Sequence, residues 1–377
     1  MENNKFEKPI YVTRPLLPPI SDVTGKLEEI WASQWLTNNG AQHQSLEKEI
    51  QSFLKVPNTC LFNNGTIGLI VAIQSLRLSG EVITTPFTFP ATPHVLTWNG
   101  ITPIFCDIDE QTMNIDAGKI ESMITPRTTA ILAVHVFGVP CDVAAIETVA
   151  RRYGLKVIYD AAHAFGTEIN GRGIGTFGDI SMFSFHATKL FHTVEGGCLT
   201  FNDSDLKQRI DLLKNFGIKN EDEVVMPGIN GKMNEVQAGI GRSVLTMVPD
   251  EMKKRRHLRD IYNVMLGSVS GIRLQKEISG VKDSYQYYVI RIVADEFGMT
   301  RDEVYERLQP FNVFTRKYFY PLASDYTCYR QIPSSARDNL PVASQVVQET
   351  LSLPFYGGLS EEDVRKISSL IIGLQGR

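Results

Sequence analysis

Short segments rich in β-branched and aromatic residues alternate with helical patterns through the middle of this chain. The predicted strands are residues 81–85, 102–107, 130–137, 156–160 and 180–185, and a predicted helix over 143–153 separates two of them. Such alternation is typical of an α/β architecture with a mostly parallel sheet. The apolar run 131–134 (Ile-Leu-Ala-Val) has the character of a strand covered on both faces.

The first part of this pattern is a helix over 47–55, a strand over 60–62 and a helix over 66–78. After residue 248 the pattern changes to a basic helical run from 252 to 266, a strand-like segment over 285–293, and helices over 300–308 and 361–374. Thr300 and Glu303 have the spacing of a capping box. We therefore expect an N-terminal segment (1–44), a large domain (45–248) and a small α+β domain (249–377).

Composition excludes several classes of protein. Hydrophobic residues make up 43% of the 377 and charged residues 21%, which is ordinary for a globular chain. The net charge of −4 gives no broad attraction to nucleic acid or anionic lipid. The apolar run over 130–139 is about half of the roughly 20 residues that a membrane span needs. We expect a cytoplasmic protein with no nucleic-acid or membrane partner.

The five cysteines are odd in number and none has C-x-x-C spacing, which fits a reducing compartment and predicts no metal site. Residues 173–178 match G-x-G-x-x-G, but they lead into a predicted strand instead of opening a helix, so we reject dinucleotide binding there. No zinc-protease, serine-hydrolase or P-loop motif occurs.

Lys189 stands just past a predicted strand, in residues 184–189 (Ser-Phe-His-Ala-Thr-Lys), and is surrounded by small and apolar neighbours. Desolvation there lowers the pKa of an amine and makes it a nucleophile toward carbonyls. A solvated lysine at a strand end is the alternative interpretation, and on spacing alone it is the more common case.

Asp160 ends a predicted buried strand and is followed by small residues in 160–164 (Asp-Ala-Ala-His-Ala). Ligands of open α/β sheets bind at the carboxyl ends of strands, where this carboxylate can pair with a cationic ring nitrogen. The alternative is a helix N-cap. His163, taken alone, is more typical of a half-buried structural histidine than of a ligand.

Residues 63–66 (Asn-Asn-Gly-Thr) precede a predicted helix, so free backbone N–H groups, a helix dipole and a hydroxyl meet at one point. Such a point suits a phosphate, although ordinary strand-to-helix turns look similar. Together, the three segments indicate a ligand with a phosphate, a basic ring nitrogen and a carbonyl that condenses with lysine. Pyridoxal 5′-phosphate has all three.

The chain resembles the DegT/DnrJ/EryC1/StrS nucleotide-sugar aminotransferases over nearly its whole length. The matching segments are 63–66, 86–89 (Pro-Phe-Thr-Phe), 160–164, 184–189, 195–197 (Glu-Gly-Gly) and 228–237 (Gly-Ile-Asn-Gly-Lys-Met-Asn-Glu-Val-Gln). The resemblance implies the type I aminotransferase fold and a cytoplasmic homodimer with shared active sites. It also implies amino transfer, usually from L-glutamate, to a nucleotide-linked keto sugar in deoxysugar biosynthesis, such as that of O-antigen or lipopolysaccharide.

The resemblance also assigns roles to residues of the large domain. Lys189 is expected to hold the cofactor covalently and to shuttle the proton, with Asp160 on the pyridine nitrogen. The other expected cofactor contacts are the phosphate ligands Gly65, Thr66 and Ser184, the stacking ring Phe89, His163 beside the cofactor ring, and Asn230 from the partner subunit.

For the substrate, the family pattern at 315–322 implies that Arg316 grips the pyrophosphate, and a solvated Arg-Lys pair is the alternative. Tyr320 and His192 are the candidate sugar contacts. Residues 36–40 and 191–197 are most similar to the branch that makes dTDP-4-amino-4,6-dideoxyglucose, so dTDP-4-keto-6-deoxyglucose is the expected acceptor. A 3-aminotransferase and a non-catalytic nucleotide-sugar-binding homologue are the alternatives.

Overall fold

The structure is a computed structural model that describes residues 5–375. Its helices are α1 (Ile20–Ser33), α2 (Ala41–Leu54), α3 (Gly65–Ser75), α4 (Ala91–Trp98), α5 (Ala117–Ile120), α6 (Val143–Tyr153), α7 (Asp205–Leu213), α8 (Glu235–Leu245), α9 (Val248–Leu266), α10 (Ala294–Phe297), α11 (Arg301–Leu308), α12 (Pro341–Glu349) and α13 (Glu361–Ile372).

Its strands are β1 (Ile10–Tyr11), β2 (Asn58–Phe62), β3 (Glu81–Thr84), β4 (Thr102–Phe105), β5 (Thr128–Val134), β6 (Lys156–Asp160), β7 (Glu168–Ile169), β8 (Arg172–Gly173), β9 (Ile180–Ser184), β10 (Gly197–Phe201), β11 (Ile272–Leu274), β12 (Val281–Lys282), β13 (Tyr288–Ile292), β14 (Val313–Phe314) and β15 (Thr350–Leu353). Within residues 5–375, no helix combines the length and apolarity needed to cross a bilayer.

The central sheet has seven strands in the order β2-β10-β9-β6-β5-β3-β4. Its neighbouring strands are parallel, except that β10 runs antiparallel to both β2 and β9. The middle of β5 is buried, because apolar clusters cover both faces of the sheet. The predicted α/β class with a mostly parallel sheet is confirmed.

One edge of this sheet collects the segments that carry the candidate chemistry. Asp160 at the end of β6 pairs with Met182 of β9, and Gly197 at the start of β10 pairs with both Phe62 and Ser184. The carboxyl ends of β2, β6 and β9 therefore lie side by side. The turn before α3, the loop after β6 and the loop after β9 all leave the sheet at this edge.

The C-terminal part builds a second core on the antiparallel sheet β11-β13-β15, against which α9, α11 and α13 pack. The N-terminal segment joins this part, since β1 pairs with β14 and the Phe355 amide donates to the Val12 carbonyl at 2.9 Å. Helix α2 begins at Ala41, so the predicted boundary at residue 44 falls inside a helix. The division into domains otherwise stays a prediction.

Two local predictions can be compared with the structure directly. The capping box of Thr300 and Glu303 is present at the start of α11. Strand β5 ends at Val134 instead of residue 137, because the chain turns at Phe137 and Gly138, which have φ of 55° and 94°. A Cβ on Gly138 would lie 2.3 Å from the Ser284 hydroxyl oxygen, so glycine permits this close approach.

Candidate active site

A cavity of about 330 Å³ opens at the edge of the sheet where β2, β6 and β9 end. It is lined by most of the predicted site residues, namely Gly65, Thr66, Phe89, Asp160, His163, Ser184, Lys189 and Arg316. The predicted residues Asn230, His192 and Tyr320 are not among its lining residues.

Lys189 lies on the loop between β9 and β10 and is half-buried at the cavity wall. Its backbone N–H donates to the His186 carbonyl at 2.9 Å, and its Nζ stands 5.9 Å from the centre of the Tyr287 ring. Burial lowers the pKa of the Lys189 amine to about 8, and the nearby Asp160 carboxylate opposes that shift. About a tenth of the amine is then neutral at pH 7, far more than for a solvated lysine.

Asp160 is 5% exposed and holds two hydrogen bonds. Its Oδ1 accepts from the Ala162 N–H at 3.0 Å and its Oδ2 from the Thr92 hydroxyl at 2.8 Å. Burial raises the pKa of this carboxyl, while the two hydrogen bonds and Lys189 act in the opposite direction. Turns and not a helix follow Asp160, so the alternative N-cap interpretation is wrong.

His163 is buried in a group of aromatic rings. Its ring is parallel to those of Phe137 and Phe319 and meets Tyr287 edge-on at 4.9 Å. Burial and the charge of Lys189 lower the pKa of His163 well below 6.5, so the imidazole is neutral. Since Nδ1 accepts from the Phe137 N–H at 3.3 Å, Nε2 carries the proton and is a donor.

The start of α3 forms the third wall of the cavity. Asn64 caps the helix through the Ile67 N–H at 2.9 Å, and the N–H groups of the first turn have no partner within the helix. A Cβ on Gly65 would lie 2.9 Å from the Met182 sulfur and 3.3 Å from the Ser184 Cβ. Glycine therefore lets the helix start approach Ser184, and the hydroxyls of Thr66 and Ser184 face one cavity.

Phe89 and Arg316 present their side chains at the mouth of the cavity. Phe89 is 58% exposed although it is aromatic, which leaves a ring face free for a planar ligand. The Arg316 guanidinium lies 5.6 Å from the centre of the Tyr318 ring. Its backbone is fixed by two hydrogen bonds to Ser352, at 3.1 and 2.8 Å.

His192 and Tyr320, the predicted sugar contacts, do not line this cavity, and their contact with a sugar stays a prediction. His192 is 1% exposed, and both ring nitrogens are engaged with backbone, Nε2 with the Leu16 carbonyl at 2.9 Å and Nδ1 with the Val194 N–H at 3.3 Å. Tyr320 is half-exposed beside Arg301. His192 therefore fixes the N-terminal segment, and the family pattern gave no sign of the direction of either ring.

Asn230 lies outside the cavity and is exposed. It pairs with Asn215 in an isolated bridge, and the neighbouring Gly231 carbonyl accepts from the Asn63 N–H at 2.8 Å. The predicted contribution of Asn230 to a partner subunit stays a prediction.

Sequence reasoning missed several residues that the fold brings to the site. Thr92 is fully buried and contacts both Asp160 and the Thr88 hydroxyl, the latter at 2.8 Å. Tyr287 and Phe319 reach the cavity from the C-terminal part of the chain. The Thr88 and Thr92 spacing was a weak helical signal, and the two aromatics carried no local signal.

The chemistry of the cavity fits pyridoxal 5′-phosphate. A helix start with two hydroxyls suits a phosphate, and a buried carboxyl with a raised pKa suits a cationic nitrogen. An amine with a lowered pKa suits an aldehyde, and an exposed aromatic face suits a flat ring. These features meet around one space.

Comparisons with known proteins agree with this geometry. The model of the DegT/DnrJ/EryC1/StrS aminotransferase family matches residues 20–371. An Escherichia coli protein named dTDP-4-amino-4,6-dideoxy-D-glucose transaminase is 45% identical over 370 residues, covering 97% of this chain and 99% of that protein. A Shigella dysenteriae protein of the same name is 43% identical, with coverage of 97% and 99%.

A solved structure shows the same fold. The crystal structure of DesI in the presence of its TDP-sugar product superposes with a TM-score of 0.93 at 34% identity, covering 98% of this chain and 93% of that one. The predicted type I aminotransferase fold is confirmed. With the family model matched over most of its length, the chain belongs to the DegT/DnrJ/EryC1/StrS aminotransferase family.

Proposed function

We propose that this protein transfers the amino group of L-glutamate to C4 of dTDP-4-keto-6-deoxy-D-glucose, giving dTDP-4-amino-4,6-dideoxy-D-glucose and 2-oxoglutarate. The observation that carries the proposal is the meeting of Lys189, Asp160 and the start of α3 in one cavity. The choice of sugar is supported by the 45% identity to the Escherichia coli transaminase over nearly the whole chain.

Pyridoxal 5′-phosphate is the cofactor of this proposal, and when bound it supplies an electron sink for the electron pair left by a broken carbon–hydrogen bond. The start of α3 with Thr66 and Ser184 would hold its phosphate, and Phe89 its ring face. The Asp160 carboxylate would hold a protonated ring nitrogen, a contact that also compensates the cost of its own burial. His163 is a neutral donor beside them.

Lys189 performs the proton transfers in this account. Its amine accepts a proton only when neutral, and its lowered pKa of about 8 supplies that form near neutral pH. The same amine, once protonated, returns the proton at the second carbon, so it ends each transfer unchanged. Tyr287 covers one side of the amine and limits the access of water to it.

Arg316 is proposed to bind the sugar nucleotide. Its guanidinium is the exposed cation at the mouth of the cavity and has the planar donor geometry that suits a pyrophosphate. Tyr318 beneath it restricts its direction. A solvated Arg-Lys pair is the alternative interpretation.

A homodimer with shared active sites is also proposed. The segment that precedes Asn230 exposes Phe216, Ile218, Val224 and Val225, which are 40% to 68% accessible. Exposed apolar side chains grouped in this way favour burial against a second copy. If the partner's copy of Asn230 reaches the phosphate, Asn230→Ala weakens cofactor binding about tenfold without dissociating the dimer, as measured by absorbance titration and light scattering.

The test is a sequential half-reaction followed by analysis of the product. The visible band of the loaded enzyme should change on addition of L-glutamate and return on addition of dTDP-4-keto-6-deoxy-D-glucose. NMR of the product should place the new amine on C4. An amine on C3 would favour a 3-aminotransferase, and no response to any amino donor would favour a binding protein.

A further inference from the structure

Gln286 contacts the backbone on both sides of Lys189. Its Oε1 accepts from the Leu190 N–H at 2.6 Å, and its Nε2 donates to the Thr188 carbonyl at 3.2 Å. Gln286 is 1% exposed and belongs to the C-terminal part of the chain, just before β13. A side chain distant in sequence therefore binds the backbone of the residues before and after the lysine.

The position of Lys189 depends on such contacts because the residue lies on a loop. Strand β9 ends at Ser184 and β10 begins only at Gly197, so the sheet ladder does not reach Lys189. Loss of the Gln286 carboxamide would leave a donor on the buried Leu190 and an acceptor on the half-buried Thr188 without these partners. Buried backbone groups without partners are strongly disfavoured, so the loop would move to satisfy them.

The backbone of Gln286 contacts the arginine of a buried ion pair. The Arg255 Nη1 donates to the carbonyls of Gln286 and Tyr285, at 3.3 and 3.2 Å. Its Nε donates to Glu251 Oε1 at 2.7 Å, and both side chains are almost fully buried. The Gly357 N–H donates to the same Glu251 oxygen at 2.8 Å. The backbone of Gln286 is therefore fixed to helix α9.

The neighbours of Gln286 contact the same site. The Ser284 hydroxyl donates to the His163 carbonyl at 2.7 Å, and the Tyr287 ring lies against both His163 and Lys189. Residues 284–287 thus contact the loop after β6 and the loop after β9. This segment therefore connects the C-terminal part of the chain to the loop that carries the lysine.

We propose that Gln286 is a positioning residue that holds the Lys189 amine over the reacting carbons during proton transfer. This inference rests on the proposed function, in which Lys189 takes up the proton and returns it. Gln286 acts through the backbone of residues 188–190 and touches no reacting atom. Its removal should therefore slow proton transfer and leave the affinity for both substrates nearly unchanged.

The test compares Gln286→Met, which keeps length and removes both hydrogen bonds, with Gln286→Glu, which keeps an acceptor for Leu190 and loses the donor to Thr188. The matched control is Tyr262→Phe, which removes a buried hydrogen bond to the Pro354 carbonyl elsewhere in the C-terminal part. Each loaded enzyme is examined by amide hydrogen exchange of residues 186–196 and by the single-turnover rate with L-glutamate and with 2-deuterated L-glutamate.

In Gln286→Met we expect exchange in 186–196 to rise at least tenfold, the single-turnover rate to fall tenfold to a hundredfold, and the Kd for glutamate to stay within twofold. The deuterium isotope effect should increase, because proton transfer limits the rate more strongly. Gln286→Glu should lie between Gln286→Met and the unmodified enzyme. Tyr262→Phe should lower the unfolding temperature and change neither the exchange of this segment nor the isotope effect.

An unchanged single-turnover rate in Gln286→Met would overturn the proposal. A fall in the single-turnover rate of Tyr262→Phe equal to that of Gln286→Met would also overturn it. If Gln286→Met does not fold, Gln286→Glu decides by the same criteria. An unmodified enzyme that does not react with glutamate would contradict the proposed donor instead. The exchange measurement would then still show whether Gln286 holds the lysine loop, and unchanged exchange would overturn that contact.

Discussion

Two sides of the cavity are built in different ways. On the sheet side, Asp160 and Ser184 are members of strands, and the ladder pairs of β6, β9 and β10 fix their backbones. At the mouth of the cavity, Arg316 follows the two-residue strand β14, pairs with Ser352 in an isolated bridge and lies 5.6 Å from the centre of the Tyr318 ring. The sheet side is rigid and buried, while the Arg316 side is exposed.

Under the proposed function, the sheet side carries the chemistry and the Arg316 side binds the sugar nucleotide. Groups that fix a reacting centre must be placed within a few tenths of an ångström, and the ladder provides that placement for Asp160 and Ser184. A residue that grips a flexible nucleotide tolerates more movement. Changes on the sheet side should therefore affect the rate with every substrate, and changes at Arg316 should affect only the sugar nucleotide.

The largest effect is expected for Lys189→Ala. Without the amine, neither proton transfer has an acceptor, so turnover should fall by about 10³-fold or more. The folded state should persist, since the loop keeps its Gln286 contacts. Steady-state rates and circular dichroism measure the two properties. Lys156→Ala, at the other end of β6 in an exposed ion pair with Asp179, is the control and should keep full activity.

Asp160→Asn should give the second largest effect. The amide oxygen can still accept from the Ala162 N–H, and the amide NH2 can donate to the Thr92 hydroxyl once that hydroxyl turns to accept. The geometry is then nearly kept, but the amide carries no charge to stabilise a protonated ring nitrogen. We expect both half-reactions to slow by about 10²–10³-fold, a loss typical of removing one electrostatic contact at a reacting centre. Stopped-flow rates that equal those of the unmodified enzyme would show that the carboxylate is only structural.

The stability of the cofactor-free protein should reveal the cost of burying Lys189. The pKa of Lys189 is about 8 in the folded protein and higher in the unfolded chain. Below pH 8 the folded protein therefore holds a buried charged amine, which lowers its free energy of unfolding. Lys189→Met should therefore be more stable at pH 7, by about 2 kcal/mol after allowance for partial exposure.

The difference in free energy of unfolding between Lys189→Met and the unmodified protein should shrink as the pH rises from 8 to about 10.5, where the amine is neutral in both states. Urea unfolding of both proteins at pH 7 and pH 10 measures it. A pH-independent difference would mean that Lys189 is solvated.

Arg316→Ala tests the exposed side of the cavity. Loss of the guanidinium should raise KM for the sugar nucleotide about tenfold, equivalent to about 1.4 kcal/mol. The glutamate half-reaction should stay within twofold. Arg316→Lys keeps the charge without the planar fork and should give an intermediate KM. Equal losses in both half-reactions would place Arg316 among the groups that act on the chemistry.

The rigid side of the site could be predicted from sequence because its signals are local. Asp160, Ser184 and Gly65 each stand at a strand end or helix start that the hydrophobic pattern already located. The parallel sheet then brings those ends together.

The residues that reach the site from the C-terminal part of the chain could not be predicted from local patterns. Gln286, Tyr287 and Phe319 meet the site through packing between distant parts of the chain, and no short-range pattern reports that packing. His192 shows the converse, since a residue within a family motif turned out to bond the backbone of the N-terminal segment.

Reductive trapping shows whether Lys189, at the edge of the sheet, holds the cofactor. The loaded enzyme is treated with borohydride and digested, and the peptides are sequenced by mass spectrometry. We expect a pyridoxyl phosphate label on the peptide that contains Lys189, and no label on that residue once L-glutamate has been added before reduction. A label on another lysine, or on none in protein shown to contain the cofactor, would contradict it.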